Sequence, residues 1–338
     1  MTLYETSTRD DLPALPNFLQ LSERVWRVMG LNPGKFTLQG TNTYIIGTGQ
    51  RKVLIDCGDG QKAYVPLLIE SLKSIDPDAY ISDILISHCH VDHWGGLVSI
   101  MSSELNTQQT QNIKVHKYPI LEEFTLFKHM DAFPDTVDVT DLQDNQMFEI
   151  DEDTHIRVVH TPGHAKDHCA FLLEEEGTVF SADCILGHGS VAFEDLTEYI
   201  GGLNRIKELQ PSKLYPGHGE VVNNGVEKVE QYLSIRMIKE NQILNIMKRD
   251  VSKYWTPIEL VDQMNSSSKG YNEQLMAVVV RTLGLHLIKL YVDGKVELVS
   301  YEKFTDVTGL DPYDANNVFS IVNQRWKCTD YYINSSKL

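Results

Sequence analysis

Ser87-His88-Cys89-His90-Val91-Asp92-His93 follows directly on the apolar run Ile84-Leu85-Ile86 and places three imidazoles and one carboxylate in six positions. Such a run reads as a buried strand, so the cluster stands where a strand gives way to a loop. Zinc and similar borderline metals favour imidazole nitrogens with some carboxylate, and a short loop can present several from one backbone. The plainer alternative is a polar loop that collects histidines by chance. It has to place three of the chain's 12 histidines within six residues.

Three further segments repeat the arrangement. Thr161-Pro162-Gly163-His164 follows the apolar run 156–159, Ser181-Ala182-Asp183 follows Thr178-Val179-Phe180, and Tyr215-Pro216-Gly217-His218-Gly219 follows another short apolar run. Each candidate ligand thus stands at a strand end, beside Gly or Pro residues that restrict the backbone, as a rigid scaffold presents a site from several loops. The result is seven groups, His88, His90, Asp92, His93, His164, Asp183 and His218. Seven exceed one tetrahedral zinc and suit two metals that share a ligand and a water. A carboxylate has two oxygens and can bridge, whereas an imidazole serves one metal, so an Asp is the bridging candidate.

Around these loops the first two thirds of the chain reads as short strands with helices between them. Strands are expected at 23–29, 42–47, 52–56, 83–87, 113–116, 155–160, 169–174, 178–181 and 213–215, with helices at 63–74 and 196–208 and a polar loop at 102–112. That mixture implies packed sheets with helices outside them rather than a simple parallel array. After residue 219 the pattern turns helical. Helices are expected at 226–250, at 258–263 with Thr256 as cap and Pro257 at the first position, and at 277–291. A turn at Val292-Asp293-Gly294-Lys295 and a strand at 296–300 follow. Three domains are expected: a catalytic domain over 1–224, a helical, winged-helix-like module over 225–300 and a tail over 301–338 whose role the sequence does not indicate.

The pattern His88-x-His90-x-Asp92-His93, then His164, Asp183 and His218, resembles the metallo-β-lactamase superfamily. Leu38-Gln39-Gly40-Thr41-Asn42-Thr43-Tyr44, Cys184-Ile185-Leu186-Gly187-His188-Gly189 and Val191-Ala192-Phe193-Glu194-Asp195-Leu196 are similar to its glyoxalase II-type branch, which contains beta-lactamase-like protein 2 and fungal polyketide-releasing thioesterases. The resemblance implies a mixed α/β fold, a four-layer αββα sandwich with a small C-terminal helical module. It also implies two zinc ions (Zn2+) per chain, one held by His88, His90 and His164 and the other by Asp92, His93 and His218, with Asp183 bridging. Asp92 and Asp183 would be the catalytic carboxylates, acting with a hydroxide nucleophile held by the ions. Ser87 stands where Thr is commoner, and Cys89 occupies a variable position.

Several residues carry two readings. Asp56, in Ile55-Asp56-Cys57-Gly58-Asp59-Gly60, either braces the metal loops or only forms a turn. Thr41 and Asn42 either line a substrate cleft or belong to a plain hairpin turn. His168 and His188 are either partners behind the metal ligands or half-exposed surface histidines. His116, His129, His155, His160 and His286 have no partner pattern and read as structural. Arg236, Lys239, Lys248, Arg249 and Lys253 either guide a polyanion or form a solvated helix face.

The net charge of −17 belongs entirely to residues 1–224, which hold 16 basic and 33 acidic residues against 14 of each thereafter. An acidic body disfavours extended phosphate-backbone binding across that face. Five scattered cysteines argue against a disulfide framework. No run spans a bilayer, and the first twenty residues fit neither a secretory signal nor a transit peptide. A soluble, cytoplasmic protein is expected, with the mitochondrial matrix suggested by the resemblance. For substrate, the resemblance implies single-stranded RNA cut by an endoribonuclease, or alternatively an acyl thioester, on an acyl carrier protein or as in glyoxalase II. A non-catalytic, zinc-stabilised binding protein is the reading from a different class.

Overall fold

The computed structural model of the chain describes residues 12–120, 133–264, 273–299, 324–329 and 332. Seven strands make a first sheet in chain order: β1 (Phe18–Gln20), β2 (Val25–Met29), β3 (Asn42–Ile46), β4 (Arg51–Ile55), β5 (Tyr80–Ile86), β6 (Lys114–Lys117) and β7 (Val139–Asp141). The first four pair antiparallel and the last four parallel. A second sheet holds β8 (Met147–Asp151), β9 (Thr154–His160), β10 (Cys169–Leu173), β11 (Thr178–Ala182) and β12 (Lys213–Pro216), ordered from β12 back to β8. Only β11 and β12 run parallel there.

Successive side chains on a strand point to opposite faces, and here both faces of each sheet are apolar. Tyr44, Ile46, Val53, Ile55 and Leu85 of the first sheet pack against Ile156, Val158, Phe171, Leu173 and Phe180 of the second. Their strand neighbours Ile45, Leu54, Ile81, Ile84 and Ile86 turn the other way. They meet Leu68 and Leu72 of α1 (Tyr64–Ile75), Trp94 of α2 (Val91–Trp94), Leu97 and Ile100 of α3 (Leu97–Ser102) and Leu105 of α4 (Glu104–Thr107). Full burial of one such side chain is worth about 1.5–3 kcal/mol, so both faces demand a cover. On the far side, α5 (Leu196–Glu208) covers the second sheet's loop end: Arg205 donates to the His160 carbonyl at 2.6 Å, and Gly202 lies against Thr161 and Pro162. The layers are helix, sheet, sheet, helix.

All ten expected strands are present, shifted by a few residues at their ends. β1, β7 and β8 go beyond expectation. β7 is an exposed edge with no apolar signal, whereas β8 buries Phe148 and Ile150 and exposes Met147 and Glu149, an alternation that marks a half-buried strand. The expected loop at 102–112 instead contains α4, started by the Ser103 hydroxyl, which accepts from the Leu105 amide at 3.2 Å.

The chain divides into two compact units, Met1–Phe193 with Glu198–Tyr232 and Glu194–Thr197 with Leu233–Leu338. Helix α6 (Gly225–Met247) is followed by α7 (Pro257–Met264), α8 (Glu273–Val292) and an antiparallel ribbon of β13 (Val296–Val299) and β14 (Arg325–Cys328). Thr256 caps α7 as expected, and Glu259 makes the cap reciprocal. The ribbon's second strand comes from the segment read as a tail. Trp326 and Cys328 point inward from it, and Trp255 and Trp326 exchange two backbone hydrogen bonds of 2.8 Å. The rest of 301–338, apart from residues 324, 329 and 332, and His129 lie outside the described residues.

The loop bearing His164 depends on Gly163, whose φ of +123° and distance from Tyr199 leave no room for a side chain. A Cβ there would come within 2.2 Å of the Tyr199 backbone nitrogen. Gly163→Ala is expected to cost about 2–4 kcal/mol of folding stability, read as a lower denaturation midpoint. An unchanged midpoint would contradict the packing of α5 on this loop.

Candidate metal centre

β5, β9, β11 and β12 all release their chains toward the same edge of the sandwich, and the seven candidate groups meet there. Their ligating atoms form two groups, His88, His90, His164 and Asp183, and Asp92, His93 and His218, with the atoms of each group within 4.8 Å of one another. Asp183 faces both. Its Oδ1 is 3.5 Å from His93 Nε2 and 3.3 Å from His218 Nε2, and its Oδ2 is 3.6 Å from His164 Nε2. His88, His93, His164, Asp183 and His218 are buried, while His90 and Asp92 remain partly exposed and form the open side.

What lies behind the imidazoles sets their protons. Asp56 accepts from the Ser87 amide at 2.8 Å, from the Ser87 hydroxyl at 2.8 Å and from His93 Nδ1 at 2.6 Å. The Ser87 hydroxyl, already donating to Asp56, accepts from His88 Nδ1 at 2.9 Å. His164 Nδ1 donates to the Ala192 carbonyl at 2.7 Å. With their protons committed outward, His88, His93 and His164 turn Nε2 lone pairs inward. His90 Nδ1 lies 2.9 Å from His88 Nε2 and 3.0 Å from His164 Nε2, and one proton cannot serve both contacts. His93 Nε2 and Asp183 Oδ1 are buried without a hydrogen-bond partner among the described residues. Converging lone pairs and orphaned acceptors of nitrogen and oxygen type fit a divalent, zinc-like cation in each group.

The electrostatics separate the two groups. Burial, then neighbouring imidazoles, pushes His88 well below its usual range; burial pushes His90 down to about 3 and lowers His164. Burial would also lower His93 and His218, but carboxylates outweigh it and push both up, Asp92, Asp56 and Asp183 for His93 and Asp183 and Asp92 for His218. Burial alone would raise Asp92 and Asp183. The His93 and His218 charges overcome it and hold both below the usual carboxylate range. The first group therefore offers neutral nitrogens, and the second draws in positive charge, which protons or a metal can supply.

The residue model of the Metallo-beta-lactamase superfamily matches residues 36–218, a span holding all seven groups. The chain belongs to that superfamily. A beta-lactamase-like protein 2 homolog of Caenorhabditis elegans is 36% identical over 296 residues, covering 86% of this chain and 92% of that protein. An atrochrysone carboxyl ACP thioesterase of Passalora fulva is 36% identical over 292 residues, covering 84% and 80%. A beta-lactamase domain protein from Burkholderia ambifaria shares the fold at a TM-score of 0.70 and 18% identity, over 96% of this chain and 97% of that one. As a member of that superfamily, with donor groups able to hold metal, the chain is a metal-dependent hydrolase.

Other candidates find different places. Asp56 takes its bracing position in the left-handed region, at φ 57°. Thr41 and Asn42, fully buried, neither line a cleft nor form a plain turn. Thr41 donates to Asp92 Oδ2 at 3.1 Å, and Asn42 donates to the Pro216 and Gly219 carbonyls at 2.9 Å each, holding the His218 loop. They are buried because β3 begins where the two sheets' loop ends meet. His168 is fully buried beside His88 and His164, not at the surface; His188 is half-buried and, like the buried Cys89, joins neither group. Of the histidines read as structural, His116 pairs with Asp83 at 2.9 Å and His155 with Glu175 at 2.6 Å. Asn32 escaped the sequence reading; it grips Thr41 by two hydrogen bonds of 2.8 and 2.9 Å, a contact made by a loop with no motif of its own. Ala182, at φ 41°, is a strained non-glycine residue directly before Asp183, and nothing in its residue type announces it.

Asp56→Asn keeps the shape but places an amide NH2 or a weaker carbonyl opposite His93 Nδ1, undoing the tautomer that aims Nε2 inward. Metal affinity is expected to fall about 10–100-fold with the fold retained, measured by chelator competition. Unaltered affinity would contradict the bracing role.

Proposed function

We propose that this chain is a dizinc thioester hydrolase, releasing an acyl group from a thiol such as that of an acyl carrier protein. The observation that carries the reading is Asp183, whose two oxygens face two separate sets of nitrogen and oxygen donors. Bound there, two zinc ions would supply a water of lowered pKa and neutralise negative charge developing on the attacked carbonyl oxygen. The chain's own groups hold the geometry. Asp183 offers one oxygen to each site, Asp92 is held by Thr41 on the open side, and His90 leaves that side partly accessible. Hydrolysis adds water across the C–S bond, giving a carboxylic acid and a thiol that carries away a proton.

The chemistry of the centre suits a phosphodiester as well, so the substrate is argued from elsewhere. Relatives that cover most of this chain at 33–37% identity carry the name atrochrysone carboxyl ACP thioesterase. The cationic segment that would favour single-stranded RNA is not a free basic face. Arg236 is buried, Lys239 half-buried, Lys248 lies 4.1 Å over the Tyr332 ring, and Lys253 sits 3.4 Å from Glu259 and 3.9 Å over Trp255. Arg249 alone of the five is exposed. A purely structural zinc site is disfavoured because closed sites use four ligands and leave no open side. Among the described residues no helix is long and apolar enough to cross a membrane.

Zinc-loaded protein is to be given an acyl thioester and labelled single-stranded RNA in parallel. Thioester turnover is expected, and Asp183→Asn should lower kcat about 100-fold or more, at least the loss seen when even outer partners of a metal site are removed. RNA cleavage without thioester turnover would overturn the substrate assignment, and neither activity would favour a binding protein.

A further inference from the structure

Beside His88 and His164 stands a histidine that neither donor group uses. His168 is wholly buried. Its ring centroid is 5.2 Å from that of His88, tilted by 40°, and 5.8 Å from that of His164, at 82°. The ring is held from behind: His168 Nδ1 and the Thr161 hydroxyl lie 2.9 Å apart, and the Thr161 amide donates to the His168 carbonyl at 2.8 Å. Nε2 has no hydrogen-bond partner among the described residues. Leaving such a nitrogen buried and unpaired is unfavourable, a penalty that an apolar side chain at the same place would not incur.

We infer that His168 is a positioning residue for the first ion, its Thr161-anchored ring fixing the planes of His88 and His164. The His88 ring also lies against that of His93, with centroids 4.1 Å apart. It is thus in contact with two imidazoles that are themselves tied down, His93 by Asp56 and His168 by Thr161. Packing against both restricts rotation of the His88 ring. His164 is restrained in the same way, by the Ala192 carbonyl at Nδ1 and by the His168 ring beside it. Among the described residues the ring contacts of His168 are to His88 and His164, both of the first group, so the effect is expected on the first ion.

The inference rests on the metal-centre reading, and its test separates the two. Thr161→Val removes the anchor with little change of shape, and His168→Gln removes the ring. Zinc content and chelator competition are measured on the parent and both variants, with the visible spectrum of the cobalt-substituted forms. One of the two ions is expected to weaken about 10–100-fold, with an altered cobalt spectrum, while the other ion and the far-UV circular dichroism stay as in the parent. Should His168→Gln fail to fold, Thr161→Val carries the test. Unchanged binding of both ions by a folded variant, or equal weakening of both, overturns the positioning role. A parent that binds no zinc overturns the metal-centre reading itself.

Discussion

One buried carboxylate governs the site. Asp56 takes three hydrogen bonds, from the Ser87 amide, the Ser87 hydroxyl and His93 Nδ1, and every one of them ends on the loop that follows β5. Through His93 it sets a ligand of the second group, and through Ser87 it sets the tautomer of His88 in the first. Both donor sets are thus keyed to one side chain, which itself stands in a backbone conformation that few residues other than Gly, Asn and Asp adopt easily. Such hydrogen bonds to a charged acceptor are individually strong, at about 1.5–3 kcal/mol. Ser in place of the commoner Thr changes nothing here, because the hydroxyl is what is used.

Joining the two sheets at this edge is a separate task, and polar residues perform it. Asn42, at the start of β3, bonds to the Pro216 and Gly219 carbonyls, its amide reaches the Gly217 carbonyl at 2.7 Å, and the Tyr44 hydroxyl donates to Pro216 at 2.6 Å. From the other side, the Cys169 amide reaches the Ser87 carbonyl at 2.8 Å. Gly217 completes the join. A Cβ there would fall 2.3 Å from Asp183 Oδ1 and 3.0 Å from a carbon of the His93 ring. An apolar core fixes the distance between the sheets, and these bonds fix the angle at which their loops present ligands.

The seven groups were legible because each lies just beyond an apolar run, and His164 and His218 also directly follow a glycine, a local signal. The strands were legible for the same reason, and β8 and β14 carried an alternation that a stricter reading would have caught. Contacts between distant loops were not legible. Thr41 braces Asp92 and Asn32 grips Thr41 only because β3 starts at the meeting edge, and residue type does not reveal that. His168 stayed open between a partner of the ligands and a surface histidine, because only the fold of the turn after His164 brings it beside His88 and His164. The basic run around α6 failed as a surface feature for a similar reason, since tertiary packing buries or pairs most of its cations.

Substrate choice lies beyond the centre itself, because the same two sets of donors serve any electrophilic carbon or phosphorus. In the proposed centre two ions share Asp183. The most direct measurement is a pair of anomalous difference maps, collected above and below the zinc absorption edge on crystals of the zinc-loaded protein. Two zinc peaks are expected about 3.5–4 Å apart, one among His88, His90 and His164, the other among Asp92, His93 and His218, with Asp183 between them. A single peak enclosed by four protein ligands, or none at these residues, would contradict the account.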